Sequence, residues 1–68
     1  MLVAKFASLK AGALLQSCGP EKLFFIFKKI TFEGKDIIAV KFFCLNLNRE
    51  EVAFFAMWGN ASLKVVKD

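Results

Sequence analysis

The sequence contains no histidine and no tyrosine, and it has only two cysteines and one proline among 68 residues. Structural zinc sites need four soft or borderline ligands, which usually come in closely spaced pairs. Cys18 and Cys44 stand far apart, and neither has a second cysteine nearby, so we expect no bound metal and no cofactor. The favoured interpretation is that both are buried, reduced thiols. A disulfide between them is the alternative.

Catalytic chemistry has few candidate residues. General acid–base catalysis recruits histidine or a carboxyl group with a perturbed pKa. The acidic residues lie at predicted turns and helix starts, which accounts for them without a catalytic role. Glu33 and Asp36 flank a turn. Glu50 and Glu51 directly precede an apolar run. There is no glycine-rich phosphate loop, and no serine has a histidine to activate it. The sequence therefore predicts a protein that is not an enzyme, with no catalytic residue.

Long apolar runs are also missing, because the longest uncharged stretches are residues 11–20 and 52–63. Both are well short of the ~20 apolar residues of a spanning helix. No transmembrane segment is expected, and the predicted location is the cytoplasm. The stretch "LLQSCG" resembles a bacterial lipoprotein cleavage site ending at Cys18, but Lys10 leaves too short an apolar segment before it.

Apolar residues are abundant instead: 57% of the chain is hydrophobic, with nine phenylalanines and one tryptophan. A chain of this length forms one domain, residues 1–68, and buries only ~60% of the surface that its unfolded form exposes. Ten lysines and arginines against six acids give a net charge of +4. The composition predicts a basic protein with more apolar surface than one small core can hide, and therefore a partner chain.

The N-terminal region predicts a strand and a helix. Residues 1–7 are apolar enough for a short strand, and Ser8 can cap a helix over residues 9–18. Gly19 and Pro20 then provide a stop signal. A single helix that starts near the N-terminus is the alternative for this region.

Residues 22–32 and 36–46 predict a β-hairpin with Gly34 in its turn. An even-length connection would place Lys28 opposite Lys41, and like charges destabilise a ladder, so we expect an odd-length connection. Because side chains alternate along a strand, this register predicts a core face and an open, mixed face. The predicted core face holds Phe24, Ile26, Lys28, Ile30, Phe32, Ile38, Val40, Phe42 and Cys44. The open face holds Leu23, Phe25, Phe27, Lys29, Thr31, Ile37, Ala39, Lys41, Phe43 and Leu45.

The segment "NREEVAFFAMWGN" at residues 48–60 predicts a second helix, which Asn48 caps and Gly59 ends. Residues 63–66 predict a last strand. The predicted order is βαββαβ, that of the ferredoxin-like α+β fold, in which two helices cover one sheet face. If the first strand is absent, an αββαβ sandwich remains.

The open face is compatible with nucleic-acid binding. The stretch "KDIIAVKF" at residues 35–42 resembles the third strand of the RNA-recognition module, which stacks bases on a sheet face. The stacking positions of that module correspond to Ile37 and Ala39 here. In this alternative function, the phenylalanines of the open face form an irregular stacking platform for single strands. The predicted contacting lysines are Lys28, Lys29 and Lys41.

Self-association fits more of the sequence. A second copy would cover the apolar part of the open face and enlarge a small core, and twofold dimers are the commonest oligomers. We therefore predict a homo-oligomer, preferably a dimer, that acts as a protein-interaction module. The predicted interface residues are Leu23, Phe25, Phe27, Phe43, Leu45 and Trp58.

Overall fold

The chain forms one short 3₁₀ helix and five β-strands, and the computed structural model describes all of residues 1–68. The elements are the 3₁₀ helix (Val3–Ser8), β1 (Leu14–Ser17), β2 (Phe24–Phe32), β3 (Ile37–Cys44), β4 (Arg49–Ala56) and β5 (Leu63–Lys67). All neighbouring strands are antiparallel, in the spatial order β4-β3-β2-β1-β5. The first four strands form a meander, and β5 returns to pair with β1.

The predicted α+β class is wrong, because neither predicted helix forms. The first predicted helix, residues 9–18, contains β1, and the second, residues 48–60, contains β4. Burial along β4 alternates with the period of a strand. The apolar run within residues 48–60 has no polar side. Such a run is compatible with a strand, in which successive side chains face opposite sides of the sheet. Both the βαββαβ and the αββαβ orders are therefore excluded, and no helix is long enough to cross a membrane.

The N-terminal boundaries also differ from the prediction. The predicted strand at residues 1–7 is mostly the 3₁₀ helix, and Ser8 ends this helix: its hydroxyl donates to the Lys5 carbonyl (2.9 Å). Gly12 has a φ of 99°, which glycine adopts without strain, just before the chain enters β1. Three predicted strands are confirmed as β2, β3 and β5: residues 22–32, 36–46 and 63–66.

A β-bulge divides β2 into two halves. The hairpin has the predicted odd-length connection, since Phe32 pairs with Ile38. The reason given for that prediction is wrong, because this register places Lys29 directly opposite Lys41. The pairing shifts after Phe27, which opposes Phe42, and the shift adds Lys28 as an extra residue on β2. Because side chains alternate along a strand, one extra residue exchanges the two faces of every position before it.

The bulge corrects the predicted face assignment. Phe25 and Phe27 lie on the core face rather than the open face, and Phe27 is only 4% exposed. Phe24 and Ile26, predicted in the core, lie on the opposite side, which we call the outer face. Phe32 keeps its predicted face but is exposed at the end of the hairpin. The predicted core residues of β3 are all buried: Ile38, Val40, Phe42 and Cys44.

The 3₁₀ helix covers the core face. The Phe6 ring contacts rings of three different strands, with centroid distances of 6.1 Å to Phe27, 5.8 Å to Phe42 and 5.5 Å to Phe55. Such aromatic pairs stabilise by about 0.5–1.5 kcal/mol beyond the burial of their area. One side chain therefore joins β2, β3 and β4, whereas the outer face has no covering helix.

The connection from β4 to β5 joins the two edges of the sheet. Residues 57–62 make this crossing, and Ala61 within it belongs to the buried core. The N-terminal segment holds the crossing in place. The Val3 N–H donates to the Gly59 carbonyl (2.9 Å), and Leu2 forms an isolated bridge with Asn60.

Candidate interaction surfaces

β4 is an edge strand, and half of its backbone groups point away from the sheet. In an antiparallel pair, alternate residues direct both backbone groups toward the neighbouring strand. The Met57 N–H donates to the Asp36 carbonyl (2.8 Å), and the Leu45 N–H donates to the Phe24 carbonyl (2.9 Å). These bonds fix the alternation on both sides of β3, so the odd-numbered residues of β4 bond to β3. The even-numbered residues face the open side, and we call them the β4 edge: Glu50, Val52, Phe54 and Ala56.

Little protects the β4 edge from a second strand. Natural edge strands carry lysines, prolines or bulges, or are covered. β4 pairs with β3 without a register shift, and its charged residues are confined to residues 49–51. The Ala56 carbonyl accepts the Gly59 N–H (3.0 Å) in the following turn. On the outer face, Val52 is 53% exposed and Phe54 is 65% exposed. Backbone and side chains of this edge are therefore both open to pairing.

β5, the opposite edge, is largely closed. Near the start of β5, the backbone groups that point away from the sheet belong to Ala61 and Leu63. Met1 forms hydrogen bonds with them. The Met1 nitrogen donates to both carbonyls, at 2.8 and 3.2 Å, and the Met1 carbonyl accepts the Ala61 N–H at 2.8 Å. Lys64 and Lys67 follow on the strand, and its register with β1 shifts. Each of these features hinders pairing with another strand.

Two exposed apolar side chains flank β4. Leu47 lies in the turn before the strand and is 51% exposed, whereas Trp58 lies just beyond its end and is 70% exposed. They stand at opposite ends of the same edge strand.

The core face opens into an apolar groove between β4 and β5. Its volume is about 340 Å³, and Glu51 is the one lining residue that is not hydrophobic. The Arg49 Nε donates to the Glu51 carboxylate (2.7 Å), so this charge already has a partner. The groove is therefore a gap in the cover of the core, with no free polar group to select a ligand. Its other lining residues include Phe25, Phe42, Cys44, Phe55 and Leu63.

Three lysines gather on the outer face at the bulge of β2. Lys29 pairs directly with Lys41, and the bulge places Lys28 next to them. The only ion pair of the protein joins Arg49 to Glu51, so none of these three lysines forms one. The structure thus brings together the three lysines that the sequence analysis named as nucleic-acid contacts.

The six predicted interface residues do not share one surface. Three lie on the core side of the sheet: Leu23, Phe25 and Phe27. The other three lie on the outer face or beyond β4: Phe43, Leu45 and Trp58. Sequence reasoning missed the β4 edge because residues 48–60 were assigned to a helix. The available signal was a stretch of eight residues, "REEVAFFA", without lysine, proline or glycine.

The cysteines are both free thiols. Cys44 is buried, as expected, opposite Phe25. Cys18 is exposed, contrary to the expected burial.

Comparison of the chain with protein-family models, with curated proteins and with solved structures finds no match. Function is therefore inferred from the two surfaces described above, the β4 edge and the lysine cluster.

Proposed function

We propose that the protein is a self-associating interaction module, in which two copies join through their β4 edges into one continuous sheet. The observation that carries the proposal is the set of backbone groups at Glu50, Val52 and Phe54 that face away from β3. A second β4 strand satisfies these groups with hydrogen bonds, which is how exposed sheet edges are recognised. A pairing of β4 with itself is isologous, so assembly stops at a dimer.

Symmetry restricts the register of this pairing. A twofold axis perpendicular to the sheet maps one outer face onto the other, so even-numbered residues must oppose even-numbered residues. With Ala53 opposite the partner's Ala53, Val52 opposes the partner's Phe54 at two symmetric positions. Such apolar pairs add about 0.2–1 kcal/mol each. Glu50 then opposes the partner's Ala56, and no like charges meet.

Neighbouring symmetric registers are less favourable. Centring the axis on Glu51 brings two carboxylates together, and like charges directly opposite each other destabilise a ladder. Centring it on Val52 places Glu50 beside the partner's Phe54. Centring it on Phe54 shortens the paired segment. We therefore expect the register centred on Ala53.

The same register gives the exposed side chains at the ends of β4 a partner. In this register Trp58 of one copy opposes Asn48 of the other, and Leu47 opposes Gly59, at two symmetric sites. Tryptophan is enriched among the residues that carry most of the binding energy of interfaces. Burial of an exposed leucine side chain is worth roughly 1.5–3 kcal/mol. Both contacts lie at the ends of the paired strands and extend the interface beyond the backbone hydrogen bonds.

The exposed thiol of Cys18 supports a reducing compartment for this module. An exposed free cysteine oxidises readily outside such a compartment, and disulfides are rare in the cytosol. We therefore propose the cytoplasm as its location.

Light scattering at low micromolar concentration tests the proposal. The expected mass is that of two 7.6 kDa chains. Val52→Pro should give a folded monomer, because proline is tolerated where the lost N–H faces solvent but cannot donate to a partner strand. Val65→Pro on β5 is the matched control and should remain a dimer. A monomeric wild type, a mass above that of a dimer, or a dimeric Val52→Pro protein would contradict the proposal.

A further inference from the structure

The lysine cluster holds like charges close together in the sheet, and none of its members forms an ion pair. Lys29 and Lys41 lie directly opposite each other on neighbouring strands, the position in which like charges are unfavourable. Lys28 adds a third positive charge at the bulge. Glu50, on the outer face of β4, is a diagonal neighbour of Lys41 but forms no ion pair with any lysine. An anion bound at the cluster would relieve this repulsion.

The β1–β5 side of the outer face carries charge of the same sign. Lys64 and Lys67 pair with Gln16 and Leu14, the two β1 residues of the outer face. Positive side chains are therefore present both in the middle of the sheet and at its β5 edge. An extended polyanion matches this distribution better than a single small anion, because several charges can be met at once.

An exposed aromatic ring lies beside the cluster. Phe54 opposes Ala39, and Lys41 lies two residues further along β3, opposite Val52. Phe54 and Lys41 are therefore diagonal neighbours, roughly 7–8 Å apart. The Phe54 side chain is 65% exposed, and Ala39 is too small to cover its ring. Phe43, half-buried, lies on the other side of Lys41.

We propose that the outer face binds single-stranded nucleic acid, with phosphates at the lysine cluster and a base stacked on Phe54. Lysines provide attraction for phosphates, and an exposed ring accepts the face of any base. A duplex keeps its base faces buried and would use the lysines alone. An acidic protein would leave the ring without a partner. The combination of ring and lysines therefore favours an unpaired strand.

Fluorescence anisotropy with two labelled 12-nucleotide probes, oligo-U and oligo-dT, measures this binding. Each phosphate neutralised on a single strand contributes about 0.7 to the slope of log affinity against log salt. Three lysines therefore predict an affinity roughly 20-fold lower in 200 mM than in 50 mM salt. The expected result is salt-sensitive binding of both probes, and weaker binding of a duplex of the same length. Absence of binding at 50 mM salt, or equal binding of the duplex, would overturn the proposal.

A charge-matched pair of variants separates a site from general attraction. Lys29→Gln with Lys41→Gln should lower affinity at least tenfold at low salt and reduce the salt slope by about 1.4. Lys5→Gln with Lys10→Gln removes the same charge from exposed positions at and just after the 3₁₀ helix, and should change affinity about twofold or less. Equal losses in the two variants would show that no site exists at the cluster.

The contribution of the ring is tested in protein that cannot pair through β4. Val52→Pro provides that background, so a failure of self-association and a failure of nucleic-acid binding are read separately. Adding Phe54→Leu should lower affinity for oligo-U at least fivefold, because stacking on one ring is worth roughly 1–3 kcal/mol. Unchanged affinity, or displacement of oligo-U by inorganic polyphosphate as readily as by unlabelled oligo-U, would overturn base stacking on Phe54.

Discussion

The two edges of the sheet differ in what their free backbone groups meet. At β5, Met1 bonds to Ala61 and Leu63, and two lysines follow on the strand. At β4, four residues in alternation face away from the sheet, and neither lysine nor bulge intervenes. A small protein that closes one edge and leaves the other open limits how copies can join. In the proposed dimer the open edge pairs with itself, and the closed edge prevents growth into a filament.

The largest expected effect is at Ala53, next to the position that proline should tolerate. The Ala53 N–H bonds toward β3, whereas the Val52 N–H faces the open side. Ala53→Pro should therefore remove a ladder hydrogen bond and lower the free energy of unfolding by about 1–3 kcal/mol, the cost of leaving its partner carbonyl unsatisfied. Circular dichroism during heating measures this change. Equal stability of Ala53→Pro and Val52→Pro would show that the alternation along β4 is assigned incorrectly.

A second effect is expected at the protected edge. Replacing Lys64 and Lys67 with valine removes charges that keep β5 from pairing, and valine favours strands. The double variant should form species larger than a dimer, seen by light scattering, because β4 of one copy can then meet β5 of the next. The same substitutions at Lys5 and Lys10, away from any strand edge, are the control. A double variant that remains a dimer would mean that Met1 alone closes β5.

The smallest expected effect distinguishes a lysine at an edge from a lysine inside the sheet. Lys41 lies on a central strand and protects no edge, but it faces another lysine. Lys41→Thr should raise the free energy of unfolding by about 0.2–1 kcal/mol, because it removes a like-charge pair. Chemical denaturation measures the gain, and Lys35→Thr in the turn should give none. A loss of stability in Lys41→Thr would mean that the Lys41 stem packs on the outer face.

The hairpin and β5 could be predicted from the sequence, whereas β4 could not. Residues 22–46 contain strand-forming residues on both sides of Gly34, and this local signal is sufficient for a hairpin. In residues 48–60, Asn48 and Gly59 imitate the caps of a helix, and the apolar run between them has no period. Pairing with β3, a tertiary interaction, decides the structure of that segment.

The faces of the hairpin were only half predictable. Residues 23–27 are all apolar, so they carry no alternation that fixes which side chains face the core. The bulge at Lys28 determines which of these side chains face the core. No glycine indicates the bulge in the sequence. β3 was assigned correctly because its pattern has no insertion. Lys29 and Lys41 were assigned to the correct face, whereas Lys28 was assigned to the core face and Phe25 and Phe27 to the open face.

Amide hydrogen exchange at the β4 edge tests the central claim most directly. The Val52 and Phe54 amides point away from β3, so only a second copy can protect them, whereas the Val65 amide on β5 serves as an exposed reference. At concentrations well above that of dissociation, the first two amides should exchange much more slowly than the third, and dilution should abolish the difference. If Val52 and Phe54 exchange as fast as Val65 at every concentration, the copies do not join through β4.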